Sequence, residues 1–315
     1  MEKISNQLTN LSQLILGRKH NKETIANVMN TKAISFNTTI EKQLSHIVGT
    51  LLLNGTLTEC PGLVHGKMGI AIFFFHYTQY TKNMLFADYA LDLIGEIQNQ
   101  IHVNSPADYE KGIAGIGIGI DYLIRNNFLI VEDDIFEDLD QRMYRAVMYD
   151  PWQDFSLYDG LAGYGRYWIS RLRYQKPSTQ ARECLWHIVE LIKGKLSEVL
   201  PEERTGIYSF LLDLQEISGY ENCGSLLEQY KKWDVNKNFH CLGNSTVGYI
   251  AHKIQSSRYF HKTSQDEIDN ILKQLPNLDM EKPPATMGLL SGYAGEGLLR
   301  LTALNSTDLS WMQLL

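Results

Sequence analysis

Glycine is clustered along this chain at a regular spacing, and that spacing restricts the folds open to it. Seventeen of the 24 glycines fall in six short windows. When one glycine of each window is taken as an anchor, the five spacings are 46, 48, 46, 37 and 49 residues. A repeat of this length is typical of proteins built from stacked pairs of helices or strands. The anchors are Gly66, Gly112, Gly160, Gly206, Gly243 and Gly292.

Each repeat of about 46 residues has the pattern of two helices. The first is apolar on all sides, as in residues 68–75, and this predicts complete burial. The second carries apolar residues at steps of three and four, as in residues 86–101, and this predicts an amphipathic helix. The sequence has no convincing strand pattern. We therefore predict an all-α fold.

Buried helices that alternate with amphipathic ones indicate two concentric rings, an α/α toroid or double ring of helical hairpins. An open solenoid fits the same period, but solenoid helices usually keep one exposed face. We expect six inner helices, with seven as the alternative, in a single domain over residues 45–315. Residues 1–44 are assigned to an N-terminal helical segment, with a helix at residues 3–17.

The composition argues against several classes of protein. The chain has 315 residues, 44% of them hydrophobic, which is enough for a large core. The 36 acidic residues outnumber the 29 basic ones, and no basic run indicates a nucleic-acid partner. The four cysteines form no CxxC pair, which is typical of a reducing compartment. We expect a cytoplasmic monomer without a transmembrane segment.

Four stretches of the sequence resemble successive repeats of the lanthionine synthetase C-like family. They are GKMGIAIFFFHYTQYTKN, YEKGIAGIGIGIDYLI, YDGLAGYGRYWISRL and GYAGEGLLRLTAL. The final LSWMQLL is similar to the ending of many members. The resemblance covers roughly residues 45–315, with a poor match over residues 175–240. It implies an α/α toroid, a seven-fold ring in that family, and a role in lanthipeptide biosynthesis.

The cyclases of that family bind zinc through two cysteines and a histidine. They add a cysteine thiol of a precursor peptide to a dehydrated serine or threonine, which forms a thioether ring. Zinc stabilises the thiolate, and a histidine or an acid handles the proton. The resemblance therefore implies a zinc site. It also implies that a modified precursor peptide or a partner biosynthetic enzyme binds to the chain.

The family's ligand motifs, Trp-Cys-Tyr-Gly and Cys-His-Gly, are depleted in this chain. Only HCLG at residues 240–243 remains, and Leu242 stands where Cys-His-Gly has its histidine. Cys241 and His240 are the candidate metal ligands, but catalytic zinc needs three. The third would come from one of four residues: Cys60, Cys223, His65 or His252. The repeat expected to carry His-Gly-x-Pro-Gly reads TGIYSF. We therefore expect a degenerate member, a pseudoenzyme without a cofactor, and zinc is the metal to test for.

The starts of the inner helices should meet at one end of the ring and surround a binding mouth. Tyr109, Asp159 and Tyr293 are expected to line this mouth, together with His65 and Cys241. His65 and Asp159 are the candidate catalytic residues, and His65 begins the fragment HGxxG in the first repeat. Amide N–H groups left free at the helix starts would favour anions there.

Acidic residues beside the same starts have two interpretations. They neutralise the positive helix termini, or they form the carboxylate pair of a glycosidase. Three functions follow: a peptide- or partner-binding protein without catalysis, an active zinc-dependent lanthipeptide cyclase with rearranged ligands, and an α/α-toroid glycosidase. Retained repeats with depleted ligand motifs favour the first. The acidic residues are Glu110, Asp154, Asp159 and Glu296.

Overall fold

A computed structural model describes most of the chain. The residues described are 37–131, 135–152, 154–174, 178–195, 199–200, 203–220, 223–231, 245–251, 253, 265–273, 275–278, 286–305 and 309–315. Contacts divide the chain into two compact units, 1–46 and 47–315. In the first unit, residues 37–46 are helical. The helix expected at residues 3–17 lies outside the described residues, and the predicted domain boundary after residue 44 stays a prediction.

The described residues are mainly helical. Helix α1 comprises residues 37–54 and α10 residues 246–251. The other helices are α2 (Lys67–Thr81), α3 (Leu85–Gln100), α4 (Ile113–Arg125), α5 (Glu137–Met148), α6 (Leu161–Tyr174), α7 (Thr179–Gly194), α8 (Arg204–Gln215), α9 (Gly224–Lys231), α11 (Gln265–Leu272) and α12 (Tyr293–Asn305), followed by a 3-10 helix, Ser310–Leu314. Over the ranges given above there is no strand, only an isolated bridge between Thr286 and Gly292. The all-α prediction is confirmed. None of these helices has the length and apolar character needed to cross a membrane.

Alternate helices of the second unit form an inner ring. Helix α2 packs against α4, α4 against α6, and α6 against α8. Val247 of α10 approaches Gly295 of α12, and α12 packs against α2, so the last inner helix returns to the first. Outer helices α3, α5, α7, α9 and α11 pack on inner helices. The predicted α/α toroid is confirmed, with six inner helices in the described part of the chain. Helix α9 packs on α8 as an outer helix and therefore adds no seventh inner helix.

Inner helices approach each other closely at repeated glycines. A Cβ atom on Gly165 of α6 would lie 2.3 Å from Cε2 of Phe210 in α8. A Cβ atom on Gly297 of α12 would lie 2.4 Å from Cε2 of Phe73 in α2. Both aromatic rings are completely buried. These glycines therefore make room for an aromatic side chain of the neighbouring inner helix. The second contact joins the last inner helix, α12, to the first, α2.

The fourth and fifth inner helices begin at different residues from those that their glycines predict. Helix α8 begins at Arg204, so Glu203 holds the position of the anchor and Gly206 lies inside the helix. Helix α10 begins just after Ser245. With Glu203 and Ser245 as anchors, the last three spacings are 43, 42 and 47 residues. The irregular spacing of 37 residues therefore came from the choice of anchor.

Replacing Gly297 by alanine is expected to lower the free energy of unfolding by about 1–3 kcal/mol, because the new methyl group displaces the buried ring of Phe73. Gly95→Ala in α3 is the matched control, since a Cβ atom there meets nothing within 4 Å. The control is expected to raise the free energy of unfolding by about 0.5–1 kcal/mol through helix propensity. Urea unfolding followed by circular dichroism measures both. Equal effects of the two changes would contradict the close packing of α12 on α2.

Candidate functional site

Each of four inner helices begins after a loop that folds back over the helix start. The first helical amide donates a hydrogen bond to the carbonyl oxygen seven residues earlier, and the next amide often repeats the pattern. The expectation of free amides for anion binding is therefore wrong for these first amides. The four bonds run from Lys67 N to Cys60 O (2.9 Å), Ile113 N to Pro106 O (2.9 Å), Leu161 N to Asp154 O (2.9 Å) and Tyr293 N to Thr286 O (3.4 Å).

Neighbouring loops are also bonded to one another at equivalent positions, two residues before each anchor glycine. Leu290 N donates to Val64 O (3.3 Å), Val64 N to Glu110 O (3.1 Å), and Glu110 N to Tyr158 O (3.1 Å). We call this set of linked loops the collar, residues 60–66, 106–112, 154–160 and 286–292. The anchors Gly66, Gly112, Gly160 and Gly292 meet in the collar, as the sequence predicted. Gly243 lies outside the described residues.

Side chains extend the collar towards the remaining two repeats. The buried carboxylate of Glu203 accepts a hydrogen bond from Phe155 N at 2.8 Å, which ties the start of α8 to the third loop. Ser245 Oγ donates to Leu290 O at 2.7 Å, which ties the start of α10 to the last loop. The two residues that take the place of anchor glycines therefore link their helix starts to the collar through their side chains.

The residue just before each anchor glycine lies on the rim of the collar. His65, Lys111 and Asp159 hold this position in the first three repeats. His65 Nε2 lies 3.4 Å from Glu110 Oε1, and Lys111 Nζ lies 3.0 Å from the same oxygen. The Glu110 side chain is only 16% exposed. The carboxylate of Glu110 therefore contacts both a histidine and a lysine, although His65 and Lys111 are 46 residues apart.

This environment shifts the pKa values of both candidate catalytic residues. Burial lowers the pKa of His65 below its ordinary value, and Glu110 opposes that shift while Lys111 adds to it. Burial raises the pKa of Asp159, and the charges of Glu110 and Asp108 raise it further against the effect of Lys111. The buried Nδ1 of His65 has no hydrogen-bond partner within the described ranges. The rim thus combines a histidine that favours its neutral form with a carboxyl group that holds its proton more tightly than usual.

Several residues expected in the mouth lie below it. Tyr109 is 0% exposed and its hydroxyl donates to Leu314 O at 2.8 Å, so it points into the ring. Tyr293 is 2% exposed at the start of α12. Glu296 is buried and forms an ion pair with Arg300 at 2.5 Å. The tyrosines therefore support the collar from inside, and charged side chains make up the rim.

The metal candidates His240 and Cys241 lie outside the described residues, as does Leu242. Within the described ranges, no group of three histidine, cysteine or acidic side chains is placed to share a metal ion. Burial raises the thiol pKa of Cys60 and Cys223, and it raises that of Cys184 to about 12. A thiol must lose its proton to bind zinc, and burial opposes that loss at these three cysteines.

Sequence reasoning had not identified Lys111 or Asp108 as part of the site. Lys111 stands at the same offset from its glycine as His65 and Asp159, and this equivalence was a usable signal. Asp108 Oδ1 accepts hydrogen bonds from Lys111 N at 2.6 Å and Gly112 N at 3.2 Å, so it fixes the second loop. No local pattern indicated that Glu110 would lie between His65 and Lys111.

Comparison with known proteins supports the fold. The structure is similar to that of nisin cyclase, with a TM-score of 0.52 and 13% identical residues, over 87% of this chain and 96% of that one. Nisin cyclase is an α/α toroid. No family model matches the sequence, and no curated protein matches it. The likeness shows that the chain has the fold of a lanthionine cyclase.

Two substitutions on the rim are expected to have opposite effects. One lowers the pKa values of both His65 and Asp159, and the other raises both. Glu110→Gln removes a charge that raises both values, so both are expected to fall. Lys111→Met removes a charge that lowers both values, so both are expected to rise. NMR titration of the imidazole and carboxyl signals, assigned with His65→Gln and Asp159→Asn, measures them. Shifts of the same sign in the two variants would contradict the shared charge environment.

Proposed function

We propose that this chain is a lanthionine synthetase C-like protein that binds a modified precursor peptide, or the partner enzyme that carries it, without closing the thioether ring. The observation that carries the proposal is the fold, which is similar to nisin cyclase over nearly the whole of both chains. That protein's name says that it cyclises nisin, a peptide. A peptide is therefore the substrate class that the fold favours here, and fold alone does not fix the reaction.

The charged rim supports a peptide ligand of basic character. Three acidic side chains, Asp108, Glu110 and Asp154, act on the carboxyl group of Asp159, and Lys111 opposes them. An acidic surface raises the local concentration of cationic ligands and speeds their association. The proposed ligand is thus a precursor segment with lysine or arginine beside its modified residues.

The chain has too few candidate zinc ligands for the catalysis of ring closure. A catalytic zinc site uses three protein ligands and an open position. The HCLG stretch supplies one cysteine beside His240, and leucine occupies the neighbouring ligand position. Without zinc, the thiol of the peptide keeps a pKa of about 8.5 and is mostly protonated at neutral pH. Ring closure would then lack its activated nucleophile.

The purified protein is expected to hold no stoichiometric zinc after exhaustive dialysis, because its candidate ligands fall short of three. Plasma emission measures the metal content. Leu242→His restores a histidine in the Cys-His-Gly pattern and is expected to raise zinc affinity only if another cysteine is within reach. About one zinc per wild-type chain would overturn the pseudoenzyme proposal and favour the alternative, an active cyclase with rearranged ligands.

The peptide proposal is tested with a fluorescent basic peptide that carries one cysteine and one dehydroalanine. Asp159→Asn is expected to weaken binding about two- to five-fold, and Lys111→Met to strengthen it by a similar factor, as for an exposed ion pair worth about 0.5–1 kcal/mol. Fluorescence anisotropy at two salt concentrations measures the change. Asp92→Asn, on the exposed face of α3, is the matched control and should leave binding unchanged.

Thiol counting in the same mixtures separates binding from catalysis. The proposal expects the cysteine of the peptide to stay free after long incubation with the protein. Loss of the free thiol at unchanged mass would show ring closure and contradict the non-catalytic assignment. Binding that is absent, or that ignores both rim substitutions, would contradict the mouth as the peptide site.

A further inference from the structure

Residues 309–315 run through the inside of the ring. Ser310 Oγ forms a 3.0 Å hydrogen bond with the hydroxyl of Tyr122, and Trp311 Nε1 donates to Thr302 Oγ1 at 3.2 Å. Tyr122 and Thr302 lie in the last turns of α4 and α12. At the other end, Leu314 O accepts from Tyr109 in the collar. The segment therefore extends from the far ends of the inner helices to the underside of the collar, in a space that we call the channel.

The polar groups of the channel bind the main chain of this segment near the collar. Arg166 Nη2 donates to Gln313 O at 3.4 Å and Nη1 to Leu315 O at 3.3 Å. The hydroxyl of Tyr158 donates to Leu315 O at 3.5 Å. The Arg166 guanidinium also lies over the Tyr109 ring, 5.3 Å from its centroid, which holds it in place. Because these donors contact only main-chain oxygens, they do not recognise the side chains of residues 313–315.

The side chains of the segment are bound through apolar contacts. Trp311, Met312, Leu314 and Leu315 are at most 4% exposed, whereas Gln313 is exposed. The segment itself is a 3-10 helix of only five residues, and helices of that length are not stable alone. Its conformation therefore depends on the channel. The channel favours large apolar side chains and a main chain whose oxygens accept hydrogen bonds.

The segment leaves part of the channel unfilled. A cavity of about 60 Å³ adjoins Gln313 and Leu314, and its lining includes Arg125, Ser170 and Arg173. A volume of this size accommodates water or part of a larger side chain. The channel therefore has room for peptides that differ from the resident segment at this point.

We propose that the channel is a peptide-binding site for an apolar segment, which residues 309–315 fill here and which a segment of the same chemistry from another chain can fill in their place. This proposal goes beyond the proposed function and does not depend on it, because the charged rim and the channel are built from different side chains. A peptide that fails to bind at the rim would leave the channel proposal standing, and the reverse also holds.

The direct test uses a protein shortened by residues 309–315 and a fluorescent synthetic peptide of their sequence, LSWMQLL. The shortened protein is expected to bind the peptide saturably at one site and to gain thermal stability from it. The full-length protein should bind at least ten-fold more weakly, because its own segment competes at a high effective concentration. A scrambled peptide of the same composition is the ligand control. Equal binding of both peptides, or no binding to the folded shortened protein, would overturn the proposal.

Two substitutions make the test specific to the channel. Arg166→Ala in the shortened protein is expected to weaken peptide binding about ten-fold, because two charge-assisted hydrogen bonds to carbonyls are lost. Arg145→Ala, an exposed arginine of α5, is the matched control and should have no effect. If the shortened protein does not fold, full-length Leu314→Ala replaces it, since that change loosens the resident segment. No gain in peptide binding over the wild type in this variant would then overturn the proposal.

Discussion

The structure depends on the main-chain hydrogen bonds that join the loops of the collar. Residues at one equivalent position, Leu290, Val64, Glu110 and Tyr158, form a chain of bonds from loop to loop. Each loop is also bonded to the first amides of its own inner helix. Buried polar groups must be paired somewhere, and the bonds from loop to loop between the four collar segments pair main-chain groups with one another. The starts of inner helices far apart in sequence are thereby fixed at one end of the ring.

Because the collar uses the main chain, its side chains are left to determine the chemistry of the rim. Glu110 shows these two roles most clearly. Its amide and carbonyl belong to the collar, while its carboxylate contacts His65 and Lys111. The charges of Glu110 and Lys111 then act on the pKa of Asp159 as well. A change of one rim residue therefore alters the protonation of its neighbours while the fold stays the same.

The ring presents two surfaces of opposite character. The rim is charged and acidic, whereas the channel beneath it holds the buried apolar side chains of residues 311–315 and donates hydrogen bonds to their main chain. Tyr109 and Tyr158 connect the two, because their main chains lie in the collar and their hydroxyls reach residues 314 and 315. These two tyrosines therefore contact residues 309–315 through their hydroxyls while their main chains belong to the collar.

The sequence by itself determined the helices, their pairing and the closed ring, because periodic burial and repeated glycines are local signals. It also located four of the six inner-helix starts, whereas the fourth and fifth inner helices begin after Glu203 and Ser245 and not at Gly206 and Gly243. Only the tertiary structure decided which rim side chains meet. His65 and Glu110 are brought together by bonds between loops of different repeats, and spacing along the chain carries no sign of that contact. Likewise, aromatic residues beside a helix start look alike in sequence, and packing alone decided that Tyr109 and Tyr293 are buried beneath the collar.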